Sequence, residues 1–459
     1  MIEINLYDLA KALGGILLKT NLSHLTPTGV SIDTREEQTG KIFIALKGNT
    51  DGHAYIQTAF ERGAALVISE QPCEQAHILV TDTSMAIKAF AKFYKTLVNN
   101  TAGHVPTVGI TGSVGKTTTK DLTASILAQK YNTVKTQGNF NNEIGMPLSV
   151  FRMDAHTQAV VLEMGMNNLG EIHNLAEIGR PDIAMITNIG TAHIENLGSR
   201  ENILKAKSEI LDFAPKHVIL DGDDEFLPSL VSRVPHARYY YLNQPEQTYT
   251  AYNIKPLGLL GTQVTLKIDQ DIFDVTIPIP GEYMIKNALA GAIVGTCLGL
   301  TPTEIKTGIE TFKPSQNRMD IQAGPNARVV INDVYNASPA SMKATIDMLA
   351  EQTGKKIAIL GDMFELGDFA PELHAEVGAH PSVASLDLLI AIGEHATHLA
   401  RAAQSQTTVV HYPSKQDFLI ALIETDMMAQ LGHATILVKA SRGMGFETIA
   451  DKLLQETQA

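Results

Sequence analysis

The residues best suited to chemistry cluster between 109 and 118. The segment Gly109-Ile-Thr-Gly-Ser-Val-Gly-Lys116-Thr117-Thr118 lies between an apolar run, 108–111, and a stretch with helical spacing, 116–130. A glycine-rich turn in that setting lets backbone N–H groups converge on phosphate oxygens, and the helix N-terminus adds a favourable dipole. On this reading Gly112, Ser113, Val114, Gly115 and Thr118 cradle phosphates. Lys116 reaches the β- and γ-phosphates, and Thr117 offers its hydroxyl to Mg2+. The general pattern has glycine where Ile110 stands, so the loop is a variant. No guanine-reading Asn-Lys-x-Asp segment follows, which leaves ATP as the nucleotide.

Three more side chains fit phosphoryl or metal chemistry. Glu163 ends the apolar run 159–163, and ligands of open α/β sheets bind at the carboxyl ends of strands. It is placed either for a second contact to Mg2+ or as a plain strand-end acid. His193 follows another such run in Thr187-Asn-Ile-Gly-Thr-Ala-His193. A neutral imidazole there could bind metal, or could be an ordinary loop histidine. Lys207 falls in a predicted helix, 200–213, where Ile203, Leu204, Ile210 and Leu211 share its face. A lysine in an apolar stripe must snorkel, pair, lose its proton or be modified. The neutral amine can take up CO2 as a carbamate, which would be an anionic metal ligand.

These residues need strands and helices in alternation to position them, and the chain supplies that. Short apolar runs at 42–46, 64–68 and 77–81 read as strands, 83–97 as a helix, and 99–103 as a linker. Buried-strand runs recur at 159–163, 183–188 and 217–220 with helical stretches between them, the pattern of a parallel α/β sheet. Residues 262–279 alternate around Asp269-Gln270-Asp271 and read as an antiparallel hairpin. The pattern resumes at 328–331, 356–360, 386–392 and 435–439, after a breaker at Pro314. The expectation is an α/β protein of three consecutive domains. A small N-terminal α/β domain spans 1–103, a central P-loop parallel-sheet ATPase domain 104–313, and a C-terminal Rossmann-like domain 314–459.

Composition narrows the function classes. With 459 residues, 44% hydrophobic and 19% charged, the chain is globular and long enough for several cores. Its 36 basic and 49 acidic residues leave a net charge of −13, which excludes a nucleic-acid-binding scaffold. Cys73 and Cys297 are too few for a disulfide framework or a four-cysteine zinc site. The start, Met1-Ile2-Glu3-Ile4-Asn5, has no basic region. The longest uncharged stretch, 287–303, is shorter than the ~20 apolar residues a membrane span needs. A cytoplasmic, monomeric protein is expected.

Taken in order, these motifs resemble the Mur ligase family of ATP-dependent peptidoglycan-precursor enzymes. The resemblance is carried by the loop 111–118, Asn139-Phe-Asn-Asn-Glu-Ile-Gly145, Glu163-Met-Gly, the 187–193 segment and Ala206-Lys207-Ser-Glu-Ile. It continues through Asn287-Ala-Leu-Ala, Asn317-Arg318-Met, Asn332-Asp333-Val-Tyr-Asn-Ala-Ser-Pro339 and Lys439-Ala-Ser-Arg442. Tyr335-Asn-Ala-Ser-Pro and Leu360-Gly-Asp-Met-Phe-Glu-Leu-Gly367 look most like the branch that joins D-alanyl-D-alanine to UDP-N-acetylmuramoyl-tripeptide.

The resemblance implies that Lys116, Glu163, His193 and Lys207 are catalytic, with Thr117, Glu163, His193 and a carbamylated Lys207 serving Mg2+. It implies that Asn287 meets adenine and that Arg318 and Asp333 complete the nucleotide site. Ser31, Arg35, Asp51, Gly52, His53, Asn141, Asn142, Tyr335, Asn336, Ser338 and Arg442 are implied substrate contacts. The chain departs from the family pattern at Asn317 for Gly, Asn332 for Asp, Ser338 for Asn, Tyr283-Met284 for His-Asn and Ala440 for Gly. Two sibling activities, tripeptide synthetase and folylpolyglutamate synthase, and a module that only binds nucleotide stand as the alternatives.

Overall fold

The computed structural model describes residues 1–425 and 427–455, so the end of the expected 314–459 domain lies outside the described residues. The architecture is α/β throughout, built on three main sheets. The central sheet has nine strands. From one edge they run Asp271–Ile277, Thr262–Ile268, Tyr249–Pro256, Arg238–Leu242, His217–Asp221, Ile183–Ile186, Thr107–Thr111, Ala159–Glu163 and Thr133–Lys135. The seven strands from Tyr249–Pro256 onward pair in parallel, and the hairpin at the edge is antiparallel as its alternation predicts.

Continuous apolar runs need cover on both faces, and the central strands have it. Every residue of Thr107–Thr111, Ala159–Glu163 and Ile183–Ile186 is buried. The helix Glu282–Cys297 packs through Ala288, Leu289, Ala292 and Ile293, with Gly291 and Gly295 against Ile126. The parallel strands end on one edge, where the phosphate loop, Glu163, the 187–193 segment and Asp221 emerge together.

The C-terminal sheet has six strands in the order Asp320–Ala323, Val329–Asn332, Ala434–Lys439, Lys355–Gly361, Leu388–Ile392 and Val409–Tyr412. All but the first are parallel, so Asn332, Lys439 and Gly361 end on the same edge. The N-terminal sheet runs Ile16–Leu18, His77–Leu79, Leu66–Ser69, Ile42–Ile44 and Val30–Ser31. Among the described residues, no helix is long and apolar enough to cross a membrane.

Two local expectations fail for physical reasons. Residues 99–102 are not a linker: the helix Thr83–Ala102 continues through them and stops at Gly103, whose φ is 85°. Asn100 is exposed, Asn99 is half-buried and accepts from Val105 N–H (3.2 Å), and Val98 is buried. The helix predicted over 200–213 is α-helical only over Arg200–Lys207, then tightens to a 3-10 turn, Ser208–Leu211. Ser208 Oγ bonds back to the Leu204 carbonyl at that junction (2.6 Å), the kind of side-chain competition that disturbs helix ends.

Candidate active site

A cleft of about 870 Å3 separates the carboxyl edges of the central and C-terminal sheets. Ser113–Thr118, Asn141, Asn142, Glu163 and His193 line one wall; Arg318, Asp333, Tyr335, Asn336, Ser338 and Arg442 line the other. Residues far apart in sequence are thereby brought to one place. The phosphate loop is shaped by the 187–190 segment. Val114 N–H donates to Asn188 Oδ1 (2.9 Å), Thr187 Oγ1 donates to the Val114 carbonyl (2.6 Å), and Gly190 N–H donates to Ser113 Oγ (2.9 Å). Gly115, at φ 84°, caps the helix Lys116–Leu127 and aims its first-turn amides into the cleft. Lys116 Nζ donates to the Gly112 carbonyl (2.7 Å). Burial lowers its pKa, and the Glu163 charge opposes that shift.

Glu163 is 2% exposed. Its Oε1 accepts from Asn141 Nδ2 (2.8 Å), while Oε2 is buried without a hydrogen-bond partner. His193, held at φ 63°, puts Nδ1 2.9 Å from Glu365 Oε2 of the C-terminal wall, close but not aligned as a hydrogen bond. His193 holds the Glu365 carboxyl below its ordinary value. Lys207 is 1% exposed, so it does not snorkel; its neighbours Ile203, Ile210 and Leu211 are buried with it. Burial pushes its pKa well below the ordinary lysine value, and the Lys116 charge pushes the same way.

Thr117, Glu163 and His193 line the cleft and fit a divalent cation carried by a nucleotide, whereas Lys207 is buried off the cleft wall. Glu163 Oε2 is an orphaned buried anion, Thr117 lines the same cleft, and Mg2+ characteristically takes one or two carboxylates together with substrate phosphates. Among the described residues no three His, Cys, Asp or Glu side chains converge as a metal cage. Phosphate oxygens would therefore have to complete the coordination.

The C-terminal wall is tied by its own contacts. Arg318 stacks 3.7 Å from the Tyr335 ring centre, and Arg442 lies 5.4 Å from the same ring. Asp333 pairs with Lys439 and accepts from Met319 N–H (3.2 Å). Ser338 caps the helix Pro339–Ala350 in a reciprocal box with Ser341. Asn142 Oδ1 accepts from Gly145 N–H (2.8 Å).

Other expected site residues lie off the cleft wall. Asn287 is buried behind the phosphate loop, where its Oδ1 accepts from Thr119 Oγ1 (3.0 Å). Ser31, Arg35, Asp51, Gly52 and His53 belong to the N-terminal unit and do not line the cleft. Ser31 Oγ donates to the Asp33 carbonyl (3.0 Å), and Arg35 pairs with Asp33 (2.6 Å). Gly52 has no room for a side chain, because a Cβ would meet the Leu46 backbone. His53 Nδ1 meets Asp51 (2.6 Å) and its Nε2 accepts from Glu70 N–H (3.0 Å), so both ring nitrogens are engaged.

Sequence reasoning missed Lys120, which sits under Glu163, and Lys286, which pairs with Asp221 (2.9 Å). It also missed Tyr283, whose hydroxyl is buried without a partner at the cleft. Spacing offered one clue: Lys120 lies one helical turn beyond Lys116.

The comparisons agree with this geometry. Residues 110–295 match the Mur ligase middle domain, and residues 317–442 match the Mur ligase, glutamate ligase domain. The UDP-N-acetylmuramoyl-tripeptide–D-alanyl-D-alanine ligase of Bacillus subtilis (strain 168) is 36% identical, with 99% of each chain covered. A crystal structure of MurF from Acinetobacter baumannii superposes with a TM-score of 0.90 at 28% identity, covering 99% of this chain and all of that one (100%). The MurF ligase from Thermotoga maritima in complex with ADP superposes at 0.78 with 27% identity, covering 93% and 96%. The chain belongs to the Mur ligase family.

Proposed function

We propose that this chain is an ATP-dependent ligase that joins D-alanyl-D-alanine to UDP-N-acetylmuramoyl-tripeptide, releasing ADP and phosphate. The observation that carries the reading is the facing of two sets of groups across one cleft. The phosphate loop and Glu163 stand on one wall, Arg318, Asp333 and Tyr335 on the other. The full-length relatives bear that activity in their names.

The chemistry must bring anions together. The tripeptide's terminal carboxylate attacks the γ-phosphorus, the bond to ADP breaks, and an acyl phosphate forms. The dipeptide amine then attacks the acyl carbon; a C–N bond forms, the bond to phosphate oxygen breaks, and the ammonium's two surplus protons leave. Fixed cations stabilise such charge without reorganising at the moment of reaction. Lys116 exchanges the Gly112 carbonyl for the γ-phosphate. The loop amides of Gly112–Thr118 hold the phosphates, and Arg318 approaches from the C-terminal wall.

Mg2+, when bound, neutralises phosphate charge. Thr117, Glu163, His193 and a carbamylated Lys207 are its proposed holders. Supporting the carbamate, Lys207 is buried and driven toward its neutral, CO2-reactive form. Asn287 positions the nucleotide through the loop helix, next to adenine. Ser31, Arg35 and Asp51-Gly52-His53 shape the UDP end, Asn141 and Asn142 the peptide approach, and Tyr335, Asn336, Ser338 and Arg442 the dipeptide side. The domains divide at 103/104 and 313/314, and the enzyme works in the cytoplasm as a monomer.

The test is phosphate release from ATP and Mg2+ with the tripeptide present and the dipeptide added or withheld. Release that needs both substrates supports the reading. Release independent of them, or dependent on folate and glutamate instead, overturns it.

A further inference from the structure

The incoming dipeptide presents an α-amine, and with an ordinary α-amino pKa of about 7.7–8.0 it arrives mostly as an ammonium. An ammonium held in a partly desolvated cleft needs a carboxylate partner. Eight acids line the cleft: Glu163, Glu171, Asp221, Asp223, Asp224, Glu225, Asp333 and Glu365. Six are already held by cations or amide donors. Glu163 bonds Asn141 through Oε1 and keeps Oε2 unpartnered on the phosphate-loop wall, and Asn167 N–H with Asn168 Nδ2 hold Glu171. Lys286 pairs with Asp221 and Asp223, and the Ile189, Phe226 and Leu227 amides bind Asp224. Arg200 pairs with Glu225 and Lys439 with Asp333. Among the described residues, Glu365 alone has no lysine, arginine or amide donor; its neighbour is His193 at 2.9 Å.

The backbone shows that this carboxylate is placed on purpose. Residues 361–364 are pinned on several sides. A Cβ on Gly361 would strike Phe446 and Ala440. The Asp362 carboxylate accepts from Ala396 N–H (2.7 Å) and Glu394 N–H (3.1 Å). Met363 N–H donates to His374 Nε2 (2.9 Å), and Phe364 N–H to Ser441 Oγ (2.8 Å). The next residue, Glu365, adopts φ 63°, a conformation non-glycine residues keep only where their surroundings enforce it. The result is a carboxylate carried by the C-terminal sheet, turned across the cleft to the wall that bears Lys116 and His193.

We propose that Glu365 binds the ammonium of the incoming dipeptide and so sets the amine against the acyl phosphate. The inference rests on the ligase reading above. It makes Glu365 a substrate-recognition residue; when the dipeptide enters, its ammonium takes the place beside Glu365 that the His193 ring occupies.

The experiment compares wild type with Glu365→Gln and Glu365→Asp in steady-state kinetics, varying each of the three substrates and Mg2+. D-lactoyl-D-alanine, which carries a hydroxyl in place of the ammonium, serves as a competitor. A charge-assisted contact predicts a KM for the dipeptide raised roughly 10- to 100-fold in Glu365→Gln, with partial recovery in Glu365→Asp. The KM values for ATP and tripeptide and the Mg2+ dependence stay unchanged. The wild-type preference for D-alanyl-D-alanine over the hydroxyl analogue collapses in Glu365→Gln. An unchanged dipeptide KM, a retained preference, or an effect confined to Mg2+ overturns the inference. A wild type that ignores the dipeptide would instead overturn the ligase reading itself.

Discussion

Lys120 Nζ lies 3.9 Å from Glu163 Oε2 beneath the phosphate loop, and both side chains are only 2% exposed. The lysine also donates to the Thr136 carbonyl (2.9 Å) and pairs with Asp121 (3.2 Å). Asp121 in turn meets Lys135 (2.7 Å) and Ser315 of the segment leading into the C-terminal unit. A buried carboxylate needs a compensating charge, and Lys120 supplies it to Glu163, whose side chain lines the cleft. The same cluster ties the link between the two units to the floor of the site.

Removing one member of a buried ion cluster strands the others. Lys120→Met leaves Asp121 and Glu163 short of a cation, so it should destabilise the fold by about 3–5 kcal/mol. Urea denaturation of wild type and variant measures this. A loss below about 1 kcal/mol would mean that Lys135 alone neutralises the cluster.

Lys207 makes a sharper case. Its side chain is buried, as are Ile203, Ile210 and Leu211, and it is biased toward the neutral form that attacks CO2. Lys207→Ala should lower kcat by about 10- to 100-fold, since metal-site partners of this kind carry that weight. The truncated side chain leaves room for a small anion, so formate or acetate should restore part of the rate. Lost activity with no rescue by any short carboxylate would remove the support for a carbamate.

How much of this was legible beforehand follows from how locally each feature is determined. The phosphate loop was readable because its glycines answer a purely local demand for close backbone approach. Lys207 was readable because helical spacing alone put four apolar residues on its face. The strand Thr133–Lys135 was not, being three half-buried residues that pair only at the sheet edge. Nor was the role of Glu365, which looks like a turn acid until the C-terminal sheet brings it to His193. Asn287 shows the opposite limit. Its motif was recognisable, yet its placement behind the loop, on Thr119, depends on how two helices pack.

The helix Thr83–Ala102 carries a pH-sensitive tie. Lys95 is 6% exposed and donates to the Gly179 carbonyl at the end of the helix Glu171–Gly179. Burial brings its pKa down from 10.5 to about 8, with Asp182 opposing the shift. Below the folded value the lysine is charged in both states and its burial penalty is fully present. Between about pH 8 and 10.5 the unfolded chain binds the extra proton, so stability rises with pH by up to about 1.4 kcal/mol per unit. The difference between wild type and Lys95→Met in urea melts across that window isolates the contribution. Parallel curves for the two proteins would show that Lys95 does not titrate there.

Gly112 decides whether the phosphate loop can form at all. Its φ is 149°, and a Cβ there would collide with Thr187 Oγ1 and come within 3.1 Å of Thr187 N. Thr187 cannot yield freely, because the same hydroxyl donates to the Val114 carbonyl (2.6 Å) and holds the loop open for phosphate. Gly112→Ala must therefore strain its own backbone or break that clamp, a cost of about 1–3 kcal/mol concentrated at the nucleotide site. The loop is a surface of the cleft, so the cores of the three sheets should survive the change. Expected is ADP affinity reduced by at least about tenfold with the far-ultraviolet spectrum preserved, read by calorimetric titration and circular dichroism. Thr187→Ser keeps the hydroxyl and should bind ADP as wild type does. If Gly112→Ala binds ADP normally, the clamp between Thr187 and Val114 does not shape the loop.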